Sequence, residues 1–345
     1  MSRRFLFYIT QNYSFEILRP LQQAIEAQGD ECVWYAHGGK VNRNNFAVNE
    51  TQLSSIQAAV DYQPDATFVP GNIVPDFVPG LKIQVFHGLE YKKKGHFGIR
   101  GFYDLYCTHG PKTTDRFKKL AAKHKYFRVV ETGWPKLDTL FSSQKLSLPE
   151  QKNRPCILYA PTFSPALTSA VELLPEISKQ IALASEYWIF KFHPKMDADL
   201  LRPYQELAEQ NENIHFSLDS SISPSLQTAD IILSDTSSVV GEFLLLNKPA
   251  VTYKNSQPGE ELLNFTNASS LAENLALALQ PSDELKHSII EANKLLHPFN
   301  DGESSQRILK AVEEMLTDER AGLSNKPLNL FRRFKMRKLH KYWRL

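Results

Sequence analysis

The chain of 345 residues lacks any apolar run close to the roughly 18 residues that a membrane-spanning helix needs. Its N-terminal apolar stretch, Phe5 to Ile9, follows Arg3 and Arg4 as in a signal peptide. That stretch is shorter than the usual apolar segment of about 7–15 residues, and polar residues follow it at once. We therefore predict that the chain does not span a membrane and that Phe5 to Ile9 belongs to the first core strand.

Cysteine is scarce as well. The three cysteines, Cys32, Cys107 and Cys156, are far apart, odd in number and without CxxC spacing. This pattern indicates neither a disulfide framework nor a zinc site, and a reducing cytosol is the simplest compartment. Because no Asp or His residues cluster with the spacing of metal ligands, we expect neither a metal nor another cofactor.

An excess of positive charge is confined to the C-terminus. Residues 321–345 contain eight Lys or Arg and no acid, whereas the remaining residues carry a net charge of −6. The basic residues are interspersed with Phe331, Phe334, Tyr342 and Trp343, which favours contact with an anionic membrane surface. A solvated tail and a nucleic-acid arm are the alternatives.

Short apolar runs alternate with amphipathic stretches, a pattern typical of an α/β fold with parallel sheets. Length favours two domains, and a polar stretch between Leu140 and Arg154 indicates a linker. We predict two doubly wound Rossmann-like lobes, residues 1–140 and 155–320, joined by a linker of residues 141–154 and followed by a basic helical tail, residues 321–345. The predicted strands cover residues 4–9, 31–36, 66–70, 82–86, 105–108, 127–131, 156–160, 188–192, 214–216, 230–234 and 250–253. The working site is expected in the cleft between the lobes, at the carboxyl ends of the strands.

One predicted strand runs directly into hydroxyl and acidic residues and then into a helix. The amides and the positive dipole end of that helix would suit a phosphate, although such residues also cap helices without any ligand. Asp235 and Glu242 have other possible roles, since either would orient a basic residue or a sugar hydroxyl, or serve the helix N-terminus. The proposed phosphate-binding residues are Ser234, Asp235, Thr236, Ser237 and Ser238.

Two other predicted strands deliver histidines. Strand alternation places Lys191 and His193 on one face, with Lys195 nearby, so an anion could be held there. His87, followed by Gly88, is a credible general base for a hydroxyl. The ordinary alternatives are a loop hydrogen bond for His193 and burial at a lobe interface for His87.

Two further turns contribute candidate site residues. One closes the first lobe and contains Lys136 and Asp138, and the other opens the second lobe and contains Pro161 and Thr162. In this order the segments resemble the CDP-glycerol glycerophosphotransferase family, the teichoic-acid type of polyol-phosphate primase and polymerase. Lys136 stands where many members have arginine, which exchanges a forked donor for a point charge. The matching motifs are His87-Gly88, Gly133 to Asp138, Ala160-Pro161-Thr162, Lys191 to Pro194, Ser234 to Ser238, and Lys248-Pro249.

The resemblance implies a fold of the glycosyltransferase B type, with the donor CDP-glycerol on the second lobe and the acceptor on the first. Such an enzyme would move a glycerol-phosphate unit to a hydroxyl of a lipid-linked or cell-surface glycan and release CMP, at the cytoplasmic face of the membrane. His87 would act as base or acceptor positioner. His193, with Lys191 and Lys195, would neutralise the diphosphate, and Gly88, Lys136, Asp138, Pro161, Thr162 and Glu242 would line the cleft.

Two other functions remain open. A glycosyltransferase of the same fold could use a nucleotide sugar in capsule or lipopolysaccharide synthesis, because fold alone does not decide the substrate. A non-catalytic peripheral membrane protein could have kept the nucleotide cleft as an interaction module. No nucleic acid partner is expected.

Overall fold

The computed structural model describes residues 2–89, 95–219, 221–317 and 322–343. The chain divides into two compact units. Unit 1 comprises Met1–Thr139 together with Leu295–Leu345, and unit 2 comprises Leu140–Lys294. The chain therefore leaves unit 1 once and returns to it.

Each unit is built on a six-stranded parallel sheet. The order is β2-β1-β3-β4-β5-β6 in unit 1 and β12-β11-β10-β7-β8-β9 in unit 2, so each sheet grows outward on both sides of its first strand. The strands are β1 Arg4–Ile9, β2 Glu31–Ala36, β3 Ala66–Val69, β4 Leu81–Gln84, β5 Leu105–Thr108, β6 Arg128–Glu131, β7 Cys156–Tyr159, β8 Tyr187–Phe190, β9 Ile214–Phe216, β10 Ile231–Ser234, β11 Ala250–Tyr253 and β12 Leu262–Phe265. The predicted α/β class with two doubly wound sheets is confirmed.

Helices connect most of the parallel strands, whereas the connections from β3 to β4 and from β11 to β12 contain no helix. Short 3-10 helices cover Arg43–Asn45, Pro149–Gln151 and Ala268–Ser270. The α-helices are α1 Ser14–Ala27, α2 Ile56–Asp61, α3 Pro111–His124, α4 Lys136–Ser142, α5 Leu174–Leu183, α6 Ala198–Gln210, α7 Ser223–Thr228, α8 Val239–Leu244, α9 Leu271–Leu279, α10 Asp283–Leu296, α11 Ser304–Thr317 and α12 Leu330–His340.

All eleven predicted strands occur, with bounds within two residues of those predicted. Central strands such as β3 and β7 are buried along their whole length, and therefore stand out as continuous apolar runs. The prediction missed β12, an edge strand that pairs with β11 alone and is mostly half-buried. Its sequence, Leu-Leu-Asn-Phe, is too short and mixed to mark a strand.

The structure corrects the end of the predicted second domain. Residues 295–317, here called the return segment, belong to unit 1, where α11 packs against α1. The buried face of α11, which includes Ile308 and Val312, needs an apolar partner, and its sequence does not reveal which lobe supplies one. The predicted linker also differs, because Leu146 donates its amide to the Thr228 hydroxyl inside unit 2 at 2.7 Å.

The predicted helical tail is present as α12, which packs on unit 1 through Met336 and His340. The hydroxyl of Tyr8 lies 3.1 Å from Nε2 of His340. Residues 321, 344 and 345 of the predicted tail lie outside the described residues. In the described ranges, no helix combines the length and apolar character that crossing a bilayer demands.

Candidate active site

Three of the predicted motifs meet at one edge of the unit 2 sheet. Strand β7 pairs in parallel with β10 on one side and with β8 on the other. The segments that follow these strands, residues 234–238, 160–162 and 191–195, therefore share the carboxyl edge of the sheet. This edge includes the point where the strand order reverses, the usual ligand position in doubly wound sheets.

Asp235 is a positioning residue at this edge. Its fully buried carboxylate accepts hydrogen bonds from the amides of Thr162 (2.9 Å) and Ser169 (2.8 Å) and from the Ser169 hydroxyl (3.0 Å). Burial raises the pKa of Asp235, while these hydrogen bonds act in the opposite direction. The structure thus corrects the predicted phosphate contact, since the Asp235 carboxylate fixes the loop after β7.

Ser234 has a similar internal role. Its buried hydroxyl donates to the carbonyl oxygen of Ala160 at 2.6 Å, which ties the ends of β10 and β7 together beside the buried Pro161. Thr236 and Ser237 are half-buried and Ser238 is exposed. The predicted hydroxyl cluster is therefore reduced to its last three residues, which precede α8.

The loop after β11 supports this hydroxyl cluster, although its residues were not among the predicted site residues. Ser256 donates its amide to the Thr236 hydroxyl at 3.0 Å, and Asn255 donates its side-chain amide to the Asp235 carbonyl at 3.0 Å. A hydroxyl that accepts in this way keeps its own proton for another acceptor. The sequence does contain a signal for these two residues, because Asn255 and Ser256 also follow a predicted strand.

His193 is exposed at the same edge. Its Nδ1 accepts the backbone amide of Lys195 at 3.0 Å, and its ring stacks on Phe163 with a centroid distance of 4.3 Å. An accepting Nδ1 leaves the proton of the neutral ring on Nε2. His193 therefore makes the loop hydrogen bond of the ordinary alternative, and its Nε2 carries the proton of the neutral ring.

The two lysines flanking His193 differ. Lys191 is half-buried and donates to the carbonyl oxygen of Asp219, and desolvation lowers the pKa of its amine. Lys191 therefore helps to hold the loop after β9. Lys195 is exposed, with Nζ 5.7 Å from the Phe163 ring centroid, and is the better placed of the two for an anion.

Lys248 of the lysine-proline motif has a structural role. Its ammonium donates to the carbonyl oxygens of Leu226, Gln227 and Ala229 at 3.1, 2.7 and 2.7 Å, at the carboxyl end of α7. Desolvation lowers its pKa to about 8. Three backbone acceptors satisfy its three donors, so the motif stabilises unit 2.

In unit 1, His87 follows β4 and is exposed. The preceding residue, Phe86, is buried with φ +59°, a strained conformation for a bulky side chain that is common beside functional groups. Nδ1 of His87 lies 3.2 Å from the carbonyl oxygen of Pro70, and the ring stacks on Tyr13 at 5.6 Å. A carbonyl can only accept, so Nδ1 carries the proton and Nε2 of the neutral ring has a lone pair.

The surroundings of His87 are fixed by further hydrogen bonds. Gln84 also donates to the Pro70 carbonyl, at 3.2 Å, and the Tyr103 hydroxyl donates to the carbonyl of Gly71 at 2.7 Å. A side chain at Gly88 would meet no described atom within 4 Å. The described protein therefore gives no packing reason for glycine there, which is compatible with the close approach of a ligand.

Asp138 joins the first-lobe turn to the return segment. Its buried carboxylate accepts the amides of Ser304 (2.8 Å) and Ser305 (2.7 Å) at the start of α11. Gly133 has φ +82°, and a Cβ there would lie 2.5 Å from the Ser304 hydroxyl. The structure corrects the predicted cleft role of Asp138, which provides a helix cap from a distant part of the chain.

His297 is a structural residue that the sequence analysis missed. Its Nε2 accepts the amide of Trp134 at 2.9 Å, and its Nδ1 lies 2.7 Å from the carbonyl of Phe299. Burial lowers its pKa to about 4, so the ring is neutral at physiological pH. The predicted Lys136 is half-buried beside this turn, 3.6 Å from Glu16 and 5.6 Å from the Trp134 ring centroid.

The roles of Glu242 and Thr162 stay predictions. Glu242 lies on the buried side of α8, and Thr162 is half-buried at the unit 2 edge. In the ranges that the structure describes, no three His, Cys, Asp or Glu side chains gather as a metal site would require. The absence of metal and cofactor from the reaction stays a prediction.

Comparison with known proteins decides the family. Residues 99–314 match the family of CDP-Glycerol:Poly(glycerophosphate) glycerophosphotransferases. The chain belongs to this family. The resemblance seen in the sequence is confirmed, and the protein is an enzyme of the glycerophosphotransferase type.

Curated relatives agree with the family. The chain is 26% identical over 278 residues to the teichoic acid glycerol-phosphate primase of Bacillus subtilis (strain 168), covering 68% of each chain. It is 31% identical over 139 residues to the teichoic acid poly(ribitol-phosphate) polymerase of Bacillus spizizenii (strain ATCC 23059 / NRRL B-14472 / W23), covering 36% of this chain and 22% of that protein.

Solved structures confirm the glycosyltransferase B type of fold. The wall teichoic acid polymerase TagF superposes with a TM-score of 0.63 at 14% identity, over 92% of this chain and 90% of that one. A putative UDP-N-acetylglucosamine 2-epimerase from Listeria monocytogenes gives 0.68 at 12% identity, over 92% and 98%. Because a polymerase and an epimerase share this fold, the fold alone does not determine the reaction.

Proposed function

We propose that the protein transfers a glycerol-phosphate unit from CDP-glycerol to a hydroxyl of a lipid-linked or cell-surface glycan and releases CMP. Family membership supports the donor. The observation that carries the proposal is the tautomer of His87, which leaves a basic Nε2 on an exposed imidazole at the end of β4. An imidazole with a free lone pair can accept the proton of an attacking hydroxyl at neutral pH.

In the proposed reaction, Nε2 of His87 takes the proton of the acceptor hydroxyl. The acceptor oxygen forms a bond to the phosphorus of the glycerol-phosphate unit. The bond from that phosphorus to the bridging oxygen of the diphosphate breaks, and the bridging oxygen leaves with CMP. The bridging oxygen gains negative charge in this step, so catalysis requires donors around it.

Unit 2 supplies such donors in this proposal. The Nε2–H of His193 donates to the diphosphate, Lys195 adds a positive charge, and the hydroxyls of Thr236, Ser237 and Ser238 hold the remaining oxygens. The exposure of His193, Lys195 and Ser238 supports these assignments. Asp235 and Ser234 act through their neighbours by fixing the loops that present these donors.

The proposed acceptor is lipid-linked, so the enzyme would work at the cytoplasmic face of an anionic membrane. Helix α12 supports this location. It docks through Met336 and His340 and exposes Phe331, Phe334 and basic residues elsewhere on its surface. Aromatic and cationic side chains together favour the interface of an anionic bilayer.

The test measures CMP release by the purified full-length chain supplied with CDP-glycerol and a synthetic lipid-linked saccharide. CMP release is expected with CDP-glycerol, and no transfer is expected with UDP-sugars. His87→Ala is expected to lose turnover while it still binds the donor, whereas His287→Ala, which changes an exposed histidine on α10, is the matched control. Transfer from a UDP-sugar would favour a glycosyltransferase, and turnover unchanged by His87→Ala would overturn the proposed role of this residue.

A further inference from the structure

Unit 1 contains a concave site that the proposed reaction does not use. A cavity of about 450 Å³ lies before β5 and before β6, at the amino ends of these strands, whereas His87 lies at the carboxyl end of β4. The segments before β5 and β6 form two walls of the cavity, and the segment that leads into α12 forms the third. The lining residues are Ile99, Arg100, Gly101, Lys123, His124, Tyr126, Asn325, Pro327, Asn329 and Arg332.

The described lining residues include three cations and no acid. Arg100, Lys123 and Arg332 are positively charged, and none of the three forms an ion pair with a described acidic residue. Two other cations of the tail are paired, Lys326 with Asp104 at 2.6 Å and Arg333 with Asp76 at 3.5 Å. Positive charges that are grouped without a counter-charge among the described residues repel one another, and an anion in the cavity would relieve that repulsion.

The cavity has a fixed shape. Asn329 donates its side-chain amide to the carbonyl oxygen of Arg100 at 2.5 Å, and Lys326 donates to the carbonyl of Phe102 at 2.8 Å. Gly101 has φ +78°, and a Cβ there would lie 2.9 Å from the Asn329 amide nitrogen. These contacts hold the tail segment against the loop before β5, so the backbone of Arg100 and the segment that leads to Arg332 are held together before any ligand binds.

The exposed side chains next to the cavity are apolar. Leu328, Leu330 and Phe331, which alternate in sequence with lining residues, are each 70% exposed. Phe334 of α12 and Trp343, which follows this helix, are each 55% exposed and lie with ring centroids 5.5 Å apart. A soluble anion would not contact these exposed apolar side chains. A phospholipid would, because its phosphate lies next to an apolar boundary.

We propose that this cavity, here called the headgroup pocket, binds the phosphate of an anionic phospholipid. In this arrangement Arg100, Lys123 and Arg332 contact the phosphate oxygens, and Leu330 and Phe331 enter the boundary between headgroups and acyl chains. The inference deepens the membrane placement in the proposed function and rests on it. Vesicle binding does not require turnover, however, so the two are tested separately.

The test is co-sedimentation of the full-length chain with vesicles of phosphatidylglycerol and phosphatidylcholine. The pocket variant Lys123→Ala/Arg332→Ala removes two positive charges, and Lys118→Ala/Lys119→Ala removes two exposed charges of α3 outside the lining. We expect the pocket variant to weaken binding about tenfold or more and the matched control to change it by less than about twofold, because the phosphate contacts are local. Equal losses in both variants would overturn the proposal, since diffuse attraction would explain them.

Additional experiments distinguish a phospholipid phosphate from a soluble anion as the ligand. Lys123→Arg should keep vesicle binding, and Phe331→Ser should weaken it without changing thermal unfolding. A thermal shift with inorganic phosphate that Lys123→Ala/Arg332→Ala abolishes, combined with vesicle binding that it leaves unchanged, would indicate a soluble-anion site and overturn the lipid assignment. If CMP release fails in every assay while the pocket variant still loses vesicle binding, the proposed reaction fails and the headgroup pocket stands.

Discussion

Nδ1 of His87 lies 3.2 Å from the carbonyl oxygen of Pro70, an atom that can only accept a hydrogen bond. In unit 2 the arrangement is reversed, because Nδ1 of His193 accepts the amide of Lys195 at 3.0 Å. When neutral, the two imidazoles therefore carry opposite tautomers. His87 offers a lone pair at Nε2 and His193 offers an N–H, as a base and a hydrogen-bond donor require.

The first prediction concerns the basic nitrogen of His87. His87→Asn retains an N–H that can reach the Pro70 carbonyl but has no group that accepts the acceptor's proton. We expect kcat to fall by about 10²–10⁴-fold, the usual contribution of a general base, with little change in KM or thermal unfolding. Steady-state CMP release measures this effect, with His287→Ala as control. A kcat within a few-fold of wild type would contradict a role as base.

The second prediction concerns the donor nitrogen of His193. Glutamine can place an amide N–H near the position of Nε2, whereas alanine cannot. His193→Gln should therefore retain much more activity than His193→Ala, which should lose about 10²-fold in kcat/KM because one donor to developing charge is gone. The comparison uses CMP release at saturating acceptor. Equal losses in both variants would show that donation at Nε2 is not what His193 contributes.

The third prediction separates positioning from contact at Asp235. Asp235→Ala leaves the amides of Thr162 and Ser169 without their acceptor, so unit 2 should lose roughly 2–3 kcal/mol of stability. At temperatures where the variant is folded, the KM for CDP-glycerol should rise more than kcat falls, because the donor loops are displaced. Urea unfolding and initial rates measure the two effects. Normal stability with an abolished kcat would instead indicate direct participation in the reaction.

The fourth prediction concerns acid stability. Burial lowers the pKa of His297 to about 4, below the usual imidazole value, so the unfolded chain takes up this proton before the folded chain does. The stabilisation is present above about pH 6.5 and is lost as the pH falls towards 4. His340, with a pKa lowered to about 3, contributes in the same direction.

Urea unfolding of unit 1 followed between pH 7.5 and 4.5 tests this prediction. His297→Gln, which keeps an acceptor for the Trp134 amide, should lower stability at pH 7.5 and flatten its decline towards acid. An unchanged slope would show that His297 does not titrate differently in the two states.

The fifth prediction compares two glycines. Gly133→Ala places a methyl group 2.5 Å from the Ser304 hydroxyl at a φ of +82°, so unit 1 should lose about 2 kcal/mol or more. Gly88→Ala meets no described atom within 4 Å and should leave stability within about 0.5 kcal/mol. If Gly88 borders the acceptor, its variant should raise the acceptor KM. Equal destabilisation by both changes would contradict this difference.

Sequence patterns predicted the sheets well for a physical reason. Strands such as β3 and β7 are buried throughout, so they appear as apolar runs between helical segments. The short edge strand β12 carries no such signal. The same logic placed the motifs of unit 2, because parallel strands direct their carboxyl ends to one edge.

Roles of individual acids could not be predicted in the same way. Asp138 and Asp235 both belong to recognised motifs, and both accept backbone amides from segments far away in sequence. A carboxylate that fixes a loop and one that contacts a ligand look alike in a sequence. The difference depends on which amides the fold brings within hydrogen-bond distance.

By itself, the sequence determined the α/β class, the positions of the strands, the family resemblance and the segments that contain His87 and His193. Those features follow from local hydrophobic periodicity and from residue identity. Only the tertiary structure decided that the return segment belongs to unit 1, which nitrogen of each histidine carries the proton, and that Arg100, Lys123 and Arg332 line one cavity. These depend on contacts between residues distant in sequence, because hydrogen bonding and charge interactions act between neighbours in space.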